Sequence, residues 1–375
     1  MAERLDRPRR ERNLLARWGW LGLALSMALV VPWLLGGKDV LDALADFPIG
    51  ILALMLVMTV TCWNLNALRL RLLLDGRAGR LGQGQALAIE MAAKFALCAT
   101  PGGSGGAVTL LALLARRGFS PSRGSAVFLV DQGCDMLFFL AMLGVLIGIS
   151  LSGNVNWPHQ GLLAVAMLSL VGLMLLVGLS LLRLPQLLRQ RPSWWLRRLS
   201  SRRRRWLARR LLSCRLALIA TLCLPPARLA SILGLCAAHW LLRYSLLYLA
   251  VLGVGAHVDW AWTFLTQMLA MAASQISILP GGAGAAELGV GTLLMPLMPA
   301  AQAAAAVVVW RLVTYHLYLL AGAPAFVILV GRWLKRPSGP DAGNTSTLTP
   351  VSRQRSRYVR QPSASAPPDS PRHPR

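Results

Sequence analysis

Thr100-Pro101-Gly102-Gly103-Ser104-Gly105-Gly106 and Leu279-Pro280-Gly281-Gly282-Ala283-Gly284-Ala285-Ala286-Glu287 are the two stretches that decide the fold. Each interrupts a long apolar run, about 85–115 in the first case and about 261–297 in the second. Proline removes a backbone donor and breaks the incoming helix, and the glycines that follow permit the positive φ of a tight reversal. Backbone broken at membrane depth is tolerated only where protein or a water-filled cavity surrounds it. The two runs are therefore expected to form re-entrant helical hairpins that turn at Pro101 and Pro280. Neither tip is a P-loop, because no Gly-Lys-Ser/Thr follows. Neither fits a dinucleotide fingerprint, because Glu287 occupies the third Gly position and no strand precedes it.

Six uninterrupted apolar stretches surround these hairpins, at about 18–35, 49–68, 124–150, 161–182, 229–254 and 302–330. Each is near the roughly 20 residues that a spanning helix needs. The 375 residues are 55% hydrophobic and 14% charged, with mean hydropathy +0.55. That balance excludes an ordinary soluble domain and an intrinsically disordered chain. The net charge of +25 would suit nucleic acid if it were spread over a domain. It lies instead in an N-terminal arm, a central loop and a C-terminal tail that flank apolar segments, so no nucleic-acid partner is expected. The six Cys (Cys62, Cys98, Cys134, Cys214, Cys223, Cys236) stand singly, without a CxxC pair, and read as small apolar residues.

Lys and Arg accumulate on the cytoplasmic side of a membrane protein, and this orients the segments. Arg4, Arg7, Arg9, Arg10, Arg12 and Arg17 put the N-terminus inside, and Asp39, Asp42 and Asp46 put the next loop outside. Arg69, Arg71, Arg77 and Arg80 mark the inside again, as do Arg116, Arg117 and Arg123 beyond the first hairpin. The eleven Arg of 183–210 are inside, and Arg332, Lys335 and Arg336 return the C-terminus inside. The first hairpin then enters from the inside and the second from the outside. A unit of helix, hairpin and helix at about 49–150 recurs upside down at about 229–330. Inverted repeats with broken helices meeting near the midplane are the architecture of secondary transporters. The fold class expected is an all-α polytopic membrane protein with about six full spans and two re-entrant hairpins. Its expected domains are a basic arm (1–17), the integral region (18–335) and a disordered basic tail (336–375).

Pro280-Gly281-Gly282-x-Gly284-x-x-Glu287 resembles the second signature of the lysylphosphatidylglycerol synthase transmembrane family, flippase-like proteins related to the membrane half of the multiple peptide resistance factor. Pro101 to Gly118, then Asp135 and Arg311, stand where that family's first signature and late Arg fall. Gly106 and Thr109 replace the Glu and Arg of its first motif, and Asp131-Gln132 replaces a common Glu-Arg. The resemblance implies a bacterial inner-membrane protein with cytoplasmic termini that translocates a lipid. The tail holds no synthase domain, so lipid aminoacylation is not expected of this chain, and a separate lipid-modifying enzyme becomes a candidate partner.

Charges at membrane depth are functional candidates, because they are costly unless paired or hydrated. Asp131 and Asp135 are four apart on one helix face, Arg311 and Tyr315 share another, and His239 and Arg243 share a third. Asp131 lies 30 residues after Pro101, and Arg311 lies 31 after Pro280, at equivalent points of the two repeats. Arg311 and Arg243, with freed N–H groups of Gly102, Gly103, Gly281, Gly282 and Gly284, are expected to hold a headgroup phosphate. Asp131, Asp135 and Glu287 would offset those cations, recognise a cationic headgroup or take up protons. Glu90 and Lys94, also four apart, suit mutual neutralisation equally well. His239 and His316 lack metal-ligand company and suit hydrogen bonds to neighbouring helices, so no metal or cofactor is expected. The Arg-rich loop 183–210, with Trp194, Trp195 and Trp206, suits an interfacial helix on anionic lipid.

These readings point to translocation of a phospholipid or isoprenoid lipid through a cavity between the hairpins. The rival is a rhomboid-like intramembrane serine protease, because Gly102-Gly103-Ser104-Gly105-Gly106 satisfies GxSxG and His239 or His316 could act as base. No His precedes Ser104 at the usual oxyanion site, and a protease has no need of the second hairpin.

Overall fold

The computed structural model describes residues 30–74, 81–152 and 224–334, except 32, 35, 275, 276 and 278, with scattered positions between 161 and 219. Every element among the described residues is helical. A short α1 (Asp39–Ala45) leads into α2 (Ile49–Leu74). Two helices, α3 (Gln83–Ala99) and α4 (Ser104–Arg116), form the first hairpin, and α5 (Pro121–Leu151) follows it. The second half contains α6 (Pro226–Gly253), the hairpin α7 (Trp260–Ser274) and α8 (Ala285–Leu294), then α9 (Ala300–Arg311). A π-helical turn (Leu312–His316) joins α9 to α10 (Leu317–Leu334). Arg332–Leu334, the last turn of α10, belong to a second unit.

Local chemistry sets these boundaries. Ser120 caps α5 by accepting from the Arg123 N–H at 3.4 Å, with Pro121 in the first turn. Proline likewise opens α6 and immediately precedes α9. Helix α3 stops because Pro101 forces Thr100 into the extended region, at φ −122° and ψ 146°.

Four helical stretches are long and apolar enough to cross a membrane: Ile49–Leu74, Pro121–Ile149, Pro226–Gly253 and Ala300–Gly331. They coincide with four of the six stretches expected from hydropathy. The other two, at 18–35 and 161–182, lie largely outside the described residues, as do the basic arm, the Arg-rich loop and the tail.

The spanning helices are apolar on the outside as well as the inside. Leu54, Val57 and Val60 of α2 are exposed, as lipid-facing residues are. Within, one apolar cluster joins Met55 of α2 to α6, α7, α8 and α9, and a second joins the end of α2 to α3, α4 and α5. Both hairpins close on small residues. A Cβ on Gly106 would lie 2.7 Å from Leu97 Cβ, and one on Gly289 would lie 3.0 Å from Ala270 Cβ. Such residues let helices in a membrane approach closely enough to gain packing energy where the hydrophobic effect supplies little. The two hairpin tips then meet: Pro101 and Pro280 form an isolated antiparallel bridge.

Candidate functional site

Behind that bridge lies a cavity of about 510 Å³. Its walls come from both tips (Gly102, Gly103, Gly281, Gly282), from α3 (Lys94, Cys98), α5 (Asp135, Phe139), α6 (His239, Trp240, Arg243, Tyr244), α7 (Gln267, Ser274) and the α9–α10 junction (Trp310, Arg311, Thr314, Tyr315, Tyr318). The volume suits a small polar ligand or headgroup. The π-helical turn begins directly after Arg311 and turns Thr314 and Tyr315 onto the cavity wall.

Tyr315 ties the tips together. Its hydroxyl lies 3.5 Å from the carbonyls of both Cys98, at the end of α3, and Pro280. Gly281 sits against the Tyr315 ring at φ +63°, and a Cβ there would overlap the ring.

The buried charges are sorted into compensated and uncompensated groups. Arg311 Nε meets Glu287 Oε1 at 2.7 Å, with the two side chains 3% and 0% exposed. Arg311 also reaches the Gly282 carbonyl at 3.4 Å and lies over the rings of Trp310 and Tyr315. This ion pair anchors α9 to α8 and to the second tip. Glu287 stands behind Arg311 and not on the cavity wall.

Arg69 makes a second cluster, one guanidinium between two carboxylates, which leaves one negative charge in excess. Its terminal nitrogens meet Asp131 Oδ1 at 2.5 Å and Asp135 Oδ1 at 2.7 Å, and it donates to the Asp131 carbonyl at 2.7 Å. Asp135 Oδ1 also accepts from Trp240 Nε1 at 2.8 Å and from Cys236 Sγ at 3.3 Å. Arg69, counted in the sequence among the arginines of the cytoplasmic side, is 2% exposed. Spacings of 4, 3 and 7 residues set it on the same stripe as Met55, Thr59 and Cys62, which are all buried. That stripe was the sequence signal for its burial.

Arg243 is different. It donates to the Tyr318 hydroxyl at 2.7 Å, lies 3.5 Å from the Thr314 carbonyl and stacks on the Tyr318 ring at 4.8 Å. All three partners are neutral. Among the described residues neither Arg243 nor Lys94 has a carboxylate within 4.0 Å, so Glu90 and Lys94 do not form an ion pair.

At the first tip the Gly103 N–H of the expected cradle is already engaged within the turn. The Gly105 N–H donates to Thr100 Oγ1 at 2.9 Å, and Gly103 and Gly106 donate to carbonyls of the turn itself. At the second tip Gly282 and Ala283 do the same. A turn this tight brings its own acceptors within reach of its donors. The tip glycines therefore shape the cavity, while side chains supply its charge. Gly284, at φ +80°, precedes α8 and is not on the wall.

Ser104 donates to the Pro101 carbonyl at 3.3 Å and is also not on the wall. His239 Nδ1 lies 3.1 Å from the Cys62 carbonyl, and His316 Nδ1 lies 3.2 Å from that of Arg311. Neither histidine is hydrogen-bonded to Ser104 among the described residues.

Four long apolar stretches, two paired helical hairpins and a cavity containing charged residues define an α-helical multi-pass membrane protein. The family model described as the lysylphosphatidylglycerol synthase TM region matches residues 19–322. The chain is also 23% identical over 272 residues to an Archaeoglobus fulgidus protein described as a UPF0104 membrane protein, covering 71% of this chain and 83% of that protein. The chain belongs to the lysylphosphatidylglycerol synthase transmembrane-region family.

Proposed function

We propose that the protein is a transporter of the bacterial inner membrane, with both termini cytoplasmic, that translocates a lipid by passing its polar headgroup through the cavity between the hairpins. The lipid is a phospholipid or an isoprenoid lipid whose chains remain in the bilayer. In this reading the two hairpins are re-entrant, the units at about 49–150 and 229–330 are inverted repeats, and six full spans carry the chain across. The 183–210 loop rests on anionic lipid, and any lipid-modifying chemistry belongs to a separate enzyme.

The observation that carries the reading is Arg243. Every other guanidinium described in the cavity region has a carboxylate partner, whereas Arg243 faces the cavity with neutral partners alone. A buried charge without a counter-charge is expensive. Here the cost is offset when a headgroup phosphate docks, and the charge-assisted bonds it forms are about twice as strong as neutral ones. Arg311, already neutralised by Glu287, serves to hold the second tip in place.

The test is translocation of short-chain fluorescent phospholipids in proteoliposomes, followed with a membrane-impermeant quencher. Wild type should accelerate translocation, and Arg243→Ala should abolish most of that acceleration. An Arg243→Ala protein that accumulates normally and translocates lipid at the wild-type rate would sink the proposal.

A further inference from the structure

Resting on the translocation reading, the excess charge beside the cavity points to what drives it. Arg69 of α2 sits between two carboxylates of α5, meeting Asp131 Oδ1 at 2.5 Å and Asp135 Oδ1 at 2.7 Å. From α3, Glu90 lies within electrostatic reach of both aspartates, and Lys94 within reach of Asp131. Cys134 of α5, with Cys236 and His239 of α6, completes the titratable surroundings. Glu90, Asp131 and Asp135 set against Arg69 and Lys94 leave one negative charge in excess. A stranded charge is costly in a membrane interior. One proton shared among the three carboxyl groups makes the cluster neutral, and such a proton belongs to the group and not to one residue.

Two details mark this cluster as one that changes charge. Arg69 Nε is buried without a hydrogen-bond partner, so the guanidinium keeps a donor in reserve while it faces two acids. The Asp131 side chain is 31% exposed, against 15% for Asp135, which gives a proton a way in. The cluster also reaches the cavity. Asp135 is on the wall, and its Oδ1 accepts from Nε1 of Trp240, a wall residue of α6 three positions before Arg243. With the proton off, the excess negative charge opposes a phosphate arriving at Arg243. With the proton on, that repulsion is gone. A proton therefore strengthens binding of the phosphate, and by linkage the phosphate strengthens binding of the proton by the same factor. The same bonds tie Asp135 to Cys236 and Trp240 in the second half of the chain, so a change of charge is felt where the two halves meet.

We infer that Glu90, Asp131 and Asp135, with Arg69 and Lys94, form a proton-binding site, and that the proton crosses the membrane together with the headgroup, so that a proton gradient drives translocation.

Proteoliposomes of the full chain carry short-chain fluorescent phosphatidylglycerol in the outer leaflet and a pH dye in the lumen. Acidifying the outside should speed inward movement of the lipid roughly tenfold, within the usual range of coupling between two sites. The lumen should acidify as the lipid moves. Asp131→Asn and Glu90→Gln each leave two carboxylates against two cations, so the response to the gradient should vanish in both, whatever their rates without it. A wild-type rate indifferent to the gradient, or a full response in either variant, overturns the inference while leaving lipid translocation intact. If wild type moves no lipid, the translocation reading fails for this lipid. Wherever no lipid moves, infrared spectra of the detergent-solubilised chain decide the inference. Wild type should show the carbonyl band of a buried protonated carboxyl group, and neither variant should. Absence of that band from wild type, or its persistence in either variant, overturns the proton site itself.

Discussion

Removing the Glu287 carboxylate should cost this protein more stability than almost any other single change. Arg311 is 3% exposed and Glu287 fully buried, with 2.7 Å between the charged atoms. Glu287→Ala would leave a guanidinium with no counter-charge in the interior of a membrane domain. Breaking a buried pair from one side costs about 3–5 kcal/mol. The Gly282 carbonyl at 3.4 Å and the rings of Trp310 and Tyr315 retain part of the interaction with the cation, which puts the expected loss near the lower limit, about 3 kcal/mol. That lowers the folded-to-unfolded ratio by more than about a hundredfold. Unfolding in mixed micelles by graded addition of a denaturing detergent measures it. Removing both partners in Glu287→Ala/Arg311→Met should recover most of the loss, because no charge is then stranded. A single-variant loss below about 1 kcal/mol, the range of exposed pairs, would refute the argument. So would a double variant no more stable than Glu287→Ala.

Gly281→Ala should destabilise the second tip by at least about 1 kcal/mol, because its φ of +63° strains any L side chain and the new Cβ meets the Tyr315 ring. Proteolysis at the 279–284 turn reports it, and wild-type resistance would count against the tip contact as described. Ser104→Ala should leave lipid translocation within about twofold of wild type, since it removes only a 3.3 Å bond to Pro101 by a side chain that does not line the cavity. Loss of function in that variant, or labelling of Ser104 by a serine-reactive probe, would return attention to hydrolytic chemistry.

Much of the architecture is legible in linear order because membrane folding is dominated by local rules. An apolar run near 20 residues must be helical, since no water is available to satisfy its backbone. The spans at Ile49–Leu74, Pro121–Ile149, Pro226–Gly253 and Ala300–Gly331 follow from that alone. So do the reversals at Pro101 and Pro280, because proline and consecutive glycines act within a few residues of themselves. Helical spacing also put Asp131 with Asp135, and Arg311 with Tyr315, on common faces.

Which charge meets which is a matter of helices far apart in the chain, and linear order does not record it. Arg69 reads as one more cytoplasmic arginine until α2 packs beside α5 and brings it to Asp131 and Asp135, 62 and 66 residues on. Glu287 and Arg311 were each recognisable as costly, yet only the packing of α8 on α9 makes them one neutral pair and removes Arg311 from the reckoning of free cations. Arg243 acquires its importance from the neutral partners that the fold places around it. The sequence alone established where the chain must turn and which groups are expensive to bury. The tertiary structure alone decided which of those groups are neutralised, because Coulomb and hydrogen-bond energies depend on distances set by helix packing and not by position in the chain.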